Sequence, residues 1–290
     1  MIRFLAILLT CLSAQAAFFD NFDIEAYRWR RFVATASTNT STVSGRAYNA
    51  ATRFMQASKQ HGYRTNLVHV GLYLGSDLTA VRIPIIADIV NTDGPIRNDN
   101  FVPADYVESG VGAGLTGDGT TKNLVLSRVG TVSMSQIGQR AHLGVYVQTG
   151  GDAAQTVIGA TEVAGDSSAY LLVSYTGGLT YAQMNDNVAL QWNVADSGGI
   201  GLYICTRTSA TFAAVYKNGL QLSTQTGTVV GTHNASFPIA VHCQDSNGSF
   251  ISQTTKTLSF WTVGYELTPN VQAAYQRAIQ RVQHDMFRAK

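Results

Sequence analysis

From residue 67 onward the apolar residues recur at every second position, in short runs separated by turn-rich segments. A period of two places alternate side chains on opposite faces of an extended chain, so this pattern demands sheets rather than helices. The candidate strands are residues 67–74, 80–90, 123–126, 142–149, 156–163, 169–175, 187–194, 200–207, 211–217, 220–224, 237–243 and 256–266. So many strands with close spacing predict a two-sheet antiparallel sandwich. Pro84 demotes part of its run to an edge or a bulge. Asn218-Gly219 predicts a tight hairpin, because both central positions of such a turn need positive φ. Within residues 142–148, Leu143, Val145 and Val147 share one side, and His142, Tyr146 and Gln148 the other. In residues 187–194 the inward set is Val188, Leu190, Trp192 and Val194.

Helices flank this region. Trp29, Phe32, Val33 and Ala36 keep helical spacing, while Ile24, Tyr27 and Arg31 follow another face. Ala47, Ala50, Ala51, Phe54 and Met55 form a second stripe, with Gly62 placed for a left-handed cap. Val271, Tyr275, Ala278, Ile279, Val282 and Met286 form a third, opened by Thr268 as cap and Pro269 in the first turn. Arg277, Arg281 and Arg288 lie toward its negative end. The expected helices are 24–36, 44–61 and 269–286, packed on the sandwich.

The first residues carry an address. Met1-Ile2-Arg3, the apolar run of residues 4–12 and Ala14-Gln15-Ala16 before Ala17 have the layout of a secretory signal peptide, too short to span a membrane. The alternative is an uncleaved docking helix. The expected organisation is residues 1–16 as signal peptide, 17–66 as helical extension and 67–290 as sandwich with its terminal helix. Export leaves Cys205 and Cys243, as a pair or as two buried thiols.

Only 13% of the 290 residues are charged and the net charge is +2. That balance predicts no clustered basic face and no nucleic-acid partner. Arg28-Trp29-Arg30-Arg31 is assigned to the solvent side of its helix. No spaced carboxylate pair suited to glycoside hydrolysis occurs: Glu162 and Asp166 are split by a glycine, and Asp105 and Glu108 fall at a turn. In residues 117–122 Lys122 does not follow the last glycine, so a phosphate loop fails. The expectation is a protein that is not an enzyme.

Several segments resemble the concanavalin-like, laminin-G-like jelly roll. They are Ala213-Ala214-Val215-Tyr216-Lys217-Asn218-Gly219-Leu220, Phe237-Pro238-Ile239-Ala240-Val241, and Leu258 to Gly264 followed by Leu267-Thr268-Pro269. His61-Gly62-Tyr63-Arg64, Leu72-Tyr73-Leu74-Gly75, and Asp105-Tyr106 leading to residues 114–122 are similar to uncharacterised bacterial and phage-encoded proteins of that fold. The resemblance implies a jelly roll and leaves function open, since this fold hosts lectins, glycanases and structural parts. It also implies loop oxygens for one calcium ion, for which Asp245 and Asn247 are the candidates; their other reading is a plain Asn-Gly turn. No other cofactor is expected.

Two functions follow as expectations. One is a secreted or surface module binding glycans or neighbouring surface proteins; the other is a virion structural or host-adhesion protein of a phage. Oligomerisation stays open. Tyr203 and Arg207, with Tyr146 and His242, are the expected ligand contacts, on amide-rich outer faces of the sheets.

Overall fold

In a computed structural model, residues 22–288 are described apart from 37–41, 88–94, 127–132, 134–136, 150–154, 162–167, 176–178, 187–189, 193–198 and 227–237. The signal-peptide assignment, Glu162 and Asp166 therefore lie outside the described residues, as do the side chains of residues 187–194, including Trp192.

Two sheets stack face to face. The first runs, in spatial order, Leu220–Thr226, Phe212–Lys217, Gly201–Ser209, Ala141–Val147, Thr257–Tyr265, Leu67–Gly71 and Ile86–Ala87. The second runs Leu190–Trp192, Leu179–Asp186, Ser168–Tyr175, Thr156–Thr161, Ala240–Val241, Asn123–Val125 and Arg97–Asp99. Among the described residues, pairing is antiparallel except where Gln244–Ser246 lies parallel to Thr156–Thr161. The cause is His242, whose φ of 69° turns the chain so that the run expected at 237–243 breaks and changes direction. Asn218 and Gly219 have φ of 48° and 79° and close the expected hairpin.

Three helices follow the expected bounds closely: α1 (Ile24–Ala36), α2 (Gly45–Gln60) and α3 (Pro269–Asp285). Asp23 caps α1, its Oδ1 accepting from the backbone N–H of Glu25 (2.9 Å) and Ala26 (3.1 Å). Ser44 does the same for α2 through Ala47, and Gly62 takes the left-handed conformation at its end, φ 71°. Thr268 makes no side-chain cap, so α3 starts on Pro269 alone. The expected strand at 80–90 is instead a helical turn, Leu78–Val81, and the short strand Ile86–Ala87, with residues 88–90 outside the described set. Asp77 opens that turn by accepting from Ala80. Leu72-Tyr73-Leu74-Gly75 is not a strand either; Tyr73 and Gly75 have φ of 49° and 121° and end the ladder at Gly71.

The molecule thus has three layers: helices, first sheet, second sheet. Leu143, Val145, Val147, Tyr203, Cys205, Trp261 and Val263 of the first sheet meet Val157, Ile158, Leu171, Val173 and Met184 of the second. The opposite face of the first sheet, with Val70, Tyr146, Leu202, Ile204 and Phe260, is covered by Trp29 and Val33, Phe54 and Met55, and Tyr275, Ile279 and Val282 of the three helices. A central sheet buried on both faces has no polar side to mark its orientation. Cys205 and Cys243 are buried free thiols, and burial pushes Cys205 up to about 12.

Trp261 can lie flat over its neighbouring strand because Gly71 stands directly opposite it. A Cβ on Gly71 would fall 2.2 Å from the indole Nε1. Gly71→Val should therefore lower stability by roughly 1–3 kcal/mol, as overpacked cores do. A urea midpoint equal to that of the parent would show that Trp261 moves aside freely.

Candidate functional site

The residues expected to hold a ligand are buried. Tyr203 has no exposed surface and sits between the sheets. Arg207 is 1% exposed. Its Nη1 donates to Met184 O (2.9 Å) on the second sheet, Nε to Ser209 O (3.0 Å) and Nη2 to Ala210 O (2.9 Å). Tyr146 lies beneath the helices, and His242 is enclosed by Tyr73 and Phe101 with ring centroids at 6.5 and 5.0 Å. The proposed outer platform is therefore corrected. Gln148, expected on that outer face, is covered by α3: its Nε2 donates to Ser259 Oγ (2.8 Å) and to Gln283 Oε1 (3.1 Å).

Asp245 is buried and accepts the Gly248 N–H (2.8 Å), while Asn247 takes a φ of 54°. This is the turn linking Gln244–Ser246 to Ser249–Ile251. Desolvation raises the Asp245 carboxyl above its ordinary range, against the Gly248 hydrogen bond and Arg97, which lower it. Among the described residues no three His, Cys, Asp or Glu side chains gather as metal ligands. Asp118 organises residues 117–122 as a turn, Oδ1 accepting from the N–H of Thr120, Thr121 and Lys122. Asp105 pairs with Lys122 at 2.7 Å, and Glu108 accepts the Gly75 N–H.

What the structure does assemble is a basic helical layer. The helices carry Arg28, Arg30 and Arg31; Arg46, Arg53 and Lys59; and Arg277 and Arg281, against only Glu25 and Asp285. The whole chain has a net charge of only +2, so positive charge is segregated to this layer and balanced elsewhere. The expectation of no clustered basic face is corrected. Glu25 is committed to Arg64 and Lys59, and Asp285 to Arg53 (2.9 Å). Burial opposes ionisation of Glu25, but those partners prevail and hold it below the usual range.

Arg288 is not part of this layer, contrary to its expected place beside Arg277 and Arg281. It turns inward, 1% exposed, and donates to the carbonyls of Leu72, Tyr73, Glu108 and Ser259. Two other arginines pair with the rings of neighbouring residues: Arg30 over Tyr48 (4.9 Å) and Arg46 over Phe287 (4.1 Å).

Between α2 and α3 the layer opens into a cleft of about 440 Å³. It exists because Ala50 and Ala57 face Ala274 and Ala278, leaving a groove that larger side chains would fill. Arg53, Arg277, Arg281 and His61 line it together with Gln56 and Gln60; among the described residues no carboxylate belongs to the lining, and Asp285 neutralises Arg53 from beside it. Arg277 and Arg281 are exposed and one helical turn apart, and among the described residues neither forms an ion pair. Like charges at that spacing destabilise a helix by a few tenths of a kcal/mol, which Asp285, one turn beyond Arg281, offsets in part.

No protein-family model matches the chain, and no curated protein sequence does. Solved structures resemble it distantly. The CBM40 of Ruminococcus gnavus IT-sialidase bound to alpha2,3 sialyllactose has 10% identity and a TM-score of 0.45, covering 57% of this chain and 96% of that one. Trypanosoma rangeli sialidase in complex with 2,3-difluorosialic acid has 14% identity and a TM-score of 0.45, covering 84% of this chain and 40% of that one. NanB sialidase from Streptococcus pneumoniae has 9% identity and a TM-score of 0.42, covering 55% and 26%. Likenesses of this size carry neither function nor site residues to this chain.

Proposed function

We propose that the chain is a non-catalytic, exported binding module that holds an anionic glycan in the cleft between α2 and α3. The observation that carries this reading is the pair Arg277 and Arg281, without an ion-pair partner among the described residues, at a cleft whose described lining includes His61 and no carboxylate. Guanidinium forks match the planar oxygens of carboxylates and the tripod of sulfates. The alanine floor offers apolar contact for sugar C–H faces, and amides at the rim suit hydroxyl groups. The volume lies within the range of small-molecule sites. Non-catalytic belongs to the same proposal, because glycoside hydrolysis takes two carboxyl groups and the lining supplies none. The jelly-roll form of the sandwich and its export are part of this reading too; a native N-terminus at Ala17 would support export.

Carboxylated and sulfated oligosaccharides should bind, neutral ones should not, and added salt should weaken the contact. Arg277→Glu with Arg281→Glu should reduce affinity by roughly a hundredfold or more, since charge-assisted bonds are lost and repulsion replaces them. Its thermal midpoint should stay within about a degree or two, since both side chains are exposed. Equal binding of neutral and anionic sugars, or indifference to the double substitution, would refute the cleft as the site.

A further inference from the structure

We propose that the outer face of α1 rests on an anionic lipid surface, independently of any ligand in the cleft. α1 carries two apolar faces and the fold consumes only one. Ala26, Trp29 and Val33 are buried against the body, and Trp29 Nε1 donates to Ile83 O (3.1 Å), which fixes the rotation of the helix. The other face then points to solvent. Ile24 is 45% exposed, Tyr27 40% and Phe32 40%, and Phe22, just before the helix, 37%. Phe32 was expected on the buried stripe and Ile24 and Tyr27 on their own face; the anchoring of Trp29 decides against Phe32.

These groups form one surface. Ile24, Tyr27, Arg28, Arg31, Phe32 and Thr35 border a shallow groove of about 400 Å³, and the Phe22 and Tyr27 rings extend it, 5.8 Å apart. An isolated exposed ring needs no explanation, but a contiguous apolar strip along one helix does. The charge on that strip selects its partner. Arg28 and Arg31 flank the rings, while the nearby carboxylates of Asp23 and Glu25 are drawn to Lys59 and Arg64 on the inner side.

Rings and aliphatic groups between arginines, with no free acid among them, form the pattern of a helix lying in the plane of a membrane interface. The apolar side chains enter the headgroup boundary and the guanidinium groups meet lipid phosphates.

The test uses the full chain and flotation with phosphatidylcholine vesicles, with and without phosphatidylglycerol. Binding to the phosphatidylglycerol vesicles is expected, falling with salt. Tyr27→Ser with Phe32→Ser, and separately Arg28→Glu with Arg31→Glu, should each weaken it roughly tenfold or more. Both variants should melt like the parent and bind anionic oligosaccharides as before, so the two proposals fail separately. Failure to bind phosphatidylglycerol vesicles would overturn the inference. So would binding unchanged in both variants, which would assign it to another segment. Loss of a dimer in the ring variant without any vesicle binding would make the face a contact between copies, and would overturn it as well.

Discussion

Arg207→Ala should cost roughly 3–5 kcal/mol of folding stability and leave ligand binding by the folded protein unchanged. The guanidinium is buried and serves three backbone carbonyls at once, one of them across the sandwich on Met184. Truncation removes a charged donor from groups that have lost water, and removing one partner from such a buried set is far more damaging than replacing the whole set. For a chain of this length the loss corresponds to a fall in thermal midpoint of roughly 10 °C. Arg207→Lys should recover only part of it, because one ammonium lacks the planar fork that reaches three acceptors. Urea unfolding followed by circular dichroism measures the loss. A variant that folds as stably as the parent but no longer binds would restore Arg207 to a ligand site.

The second large effect is acid lability that begins near neutrality. His69, His142 and His242 are fully buried. His69 stacks on Trp261 at 5.2 Å, and among the described residues neither its ring nitrogens nor those of His242 have a hydrogen-bond partner. Desolvation lowers His69 and His242 to about 3. It lowers His142 to about 4, against a backbone hydrogen bond with Tyr265 that raises it.

The folded state thus holds these rings neutral while the unfolded chain protonates them below about 6.5. Their contribution is complete above that value and is lost progressively as pH falls from 6.5 toward the folded values. Each ring contributes about 1.4 kcal/mol per pH unit once the unfolded chain is protonated, so three together give roughly 4 kcal/mol between pH 6 and pH 5. Denaturant midpoints at pH 7, 6 and 5 should fall accordingly, and His69→Asn should reduce the slope by about one third. A flat profile down to pH 5 would mean that these rings are protonated in the folded protein.

The helices were legible because their signals are local. Ser44 capping Ala47, Gly62 in the left-handed region and Pro269 in a first turn each act within one turn of chain. Asn218-Gly219 was legible for the same reason. Orientation of the central sheet was not, because Leu202 and Ile204 meet the helices while Tyr203 and Cys205 meet the second sheet. Both sets are buried, so alternation separates two faces without saying which is which. The basic cleft escaped for a different cause: Arg53 and Arg277 are distant in sequence, and a net charge of +2 averages over the segregation. The available signal was Arg277 and Arg281 one turn apart on a helix whose only acid is Asp285.

The strand Thr257–Tyr265 lies in the middle of the first sheet, between Leu67–Gly71 and Ala141–Val147. α3 packs against α2, and Arg288 ties the carbonyls of Leu72 and Tyr73 to the last turn. The centre of the first sheet is thus completed by a segment that follows both of its sheet neighbours in sequence. Each of the strands 67–71 and 141–147 gains its partner on that edge only when the 257–265 segment lies between them. Closing such long loops before their contacts form makes folding slow and keeps those edges open meanwhile. Until that segment is in place the first sheet is open at its centre, and the helical layer lacks α3, which follows it in sequence.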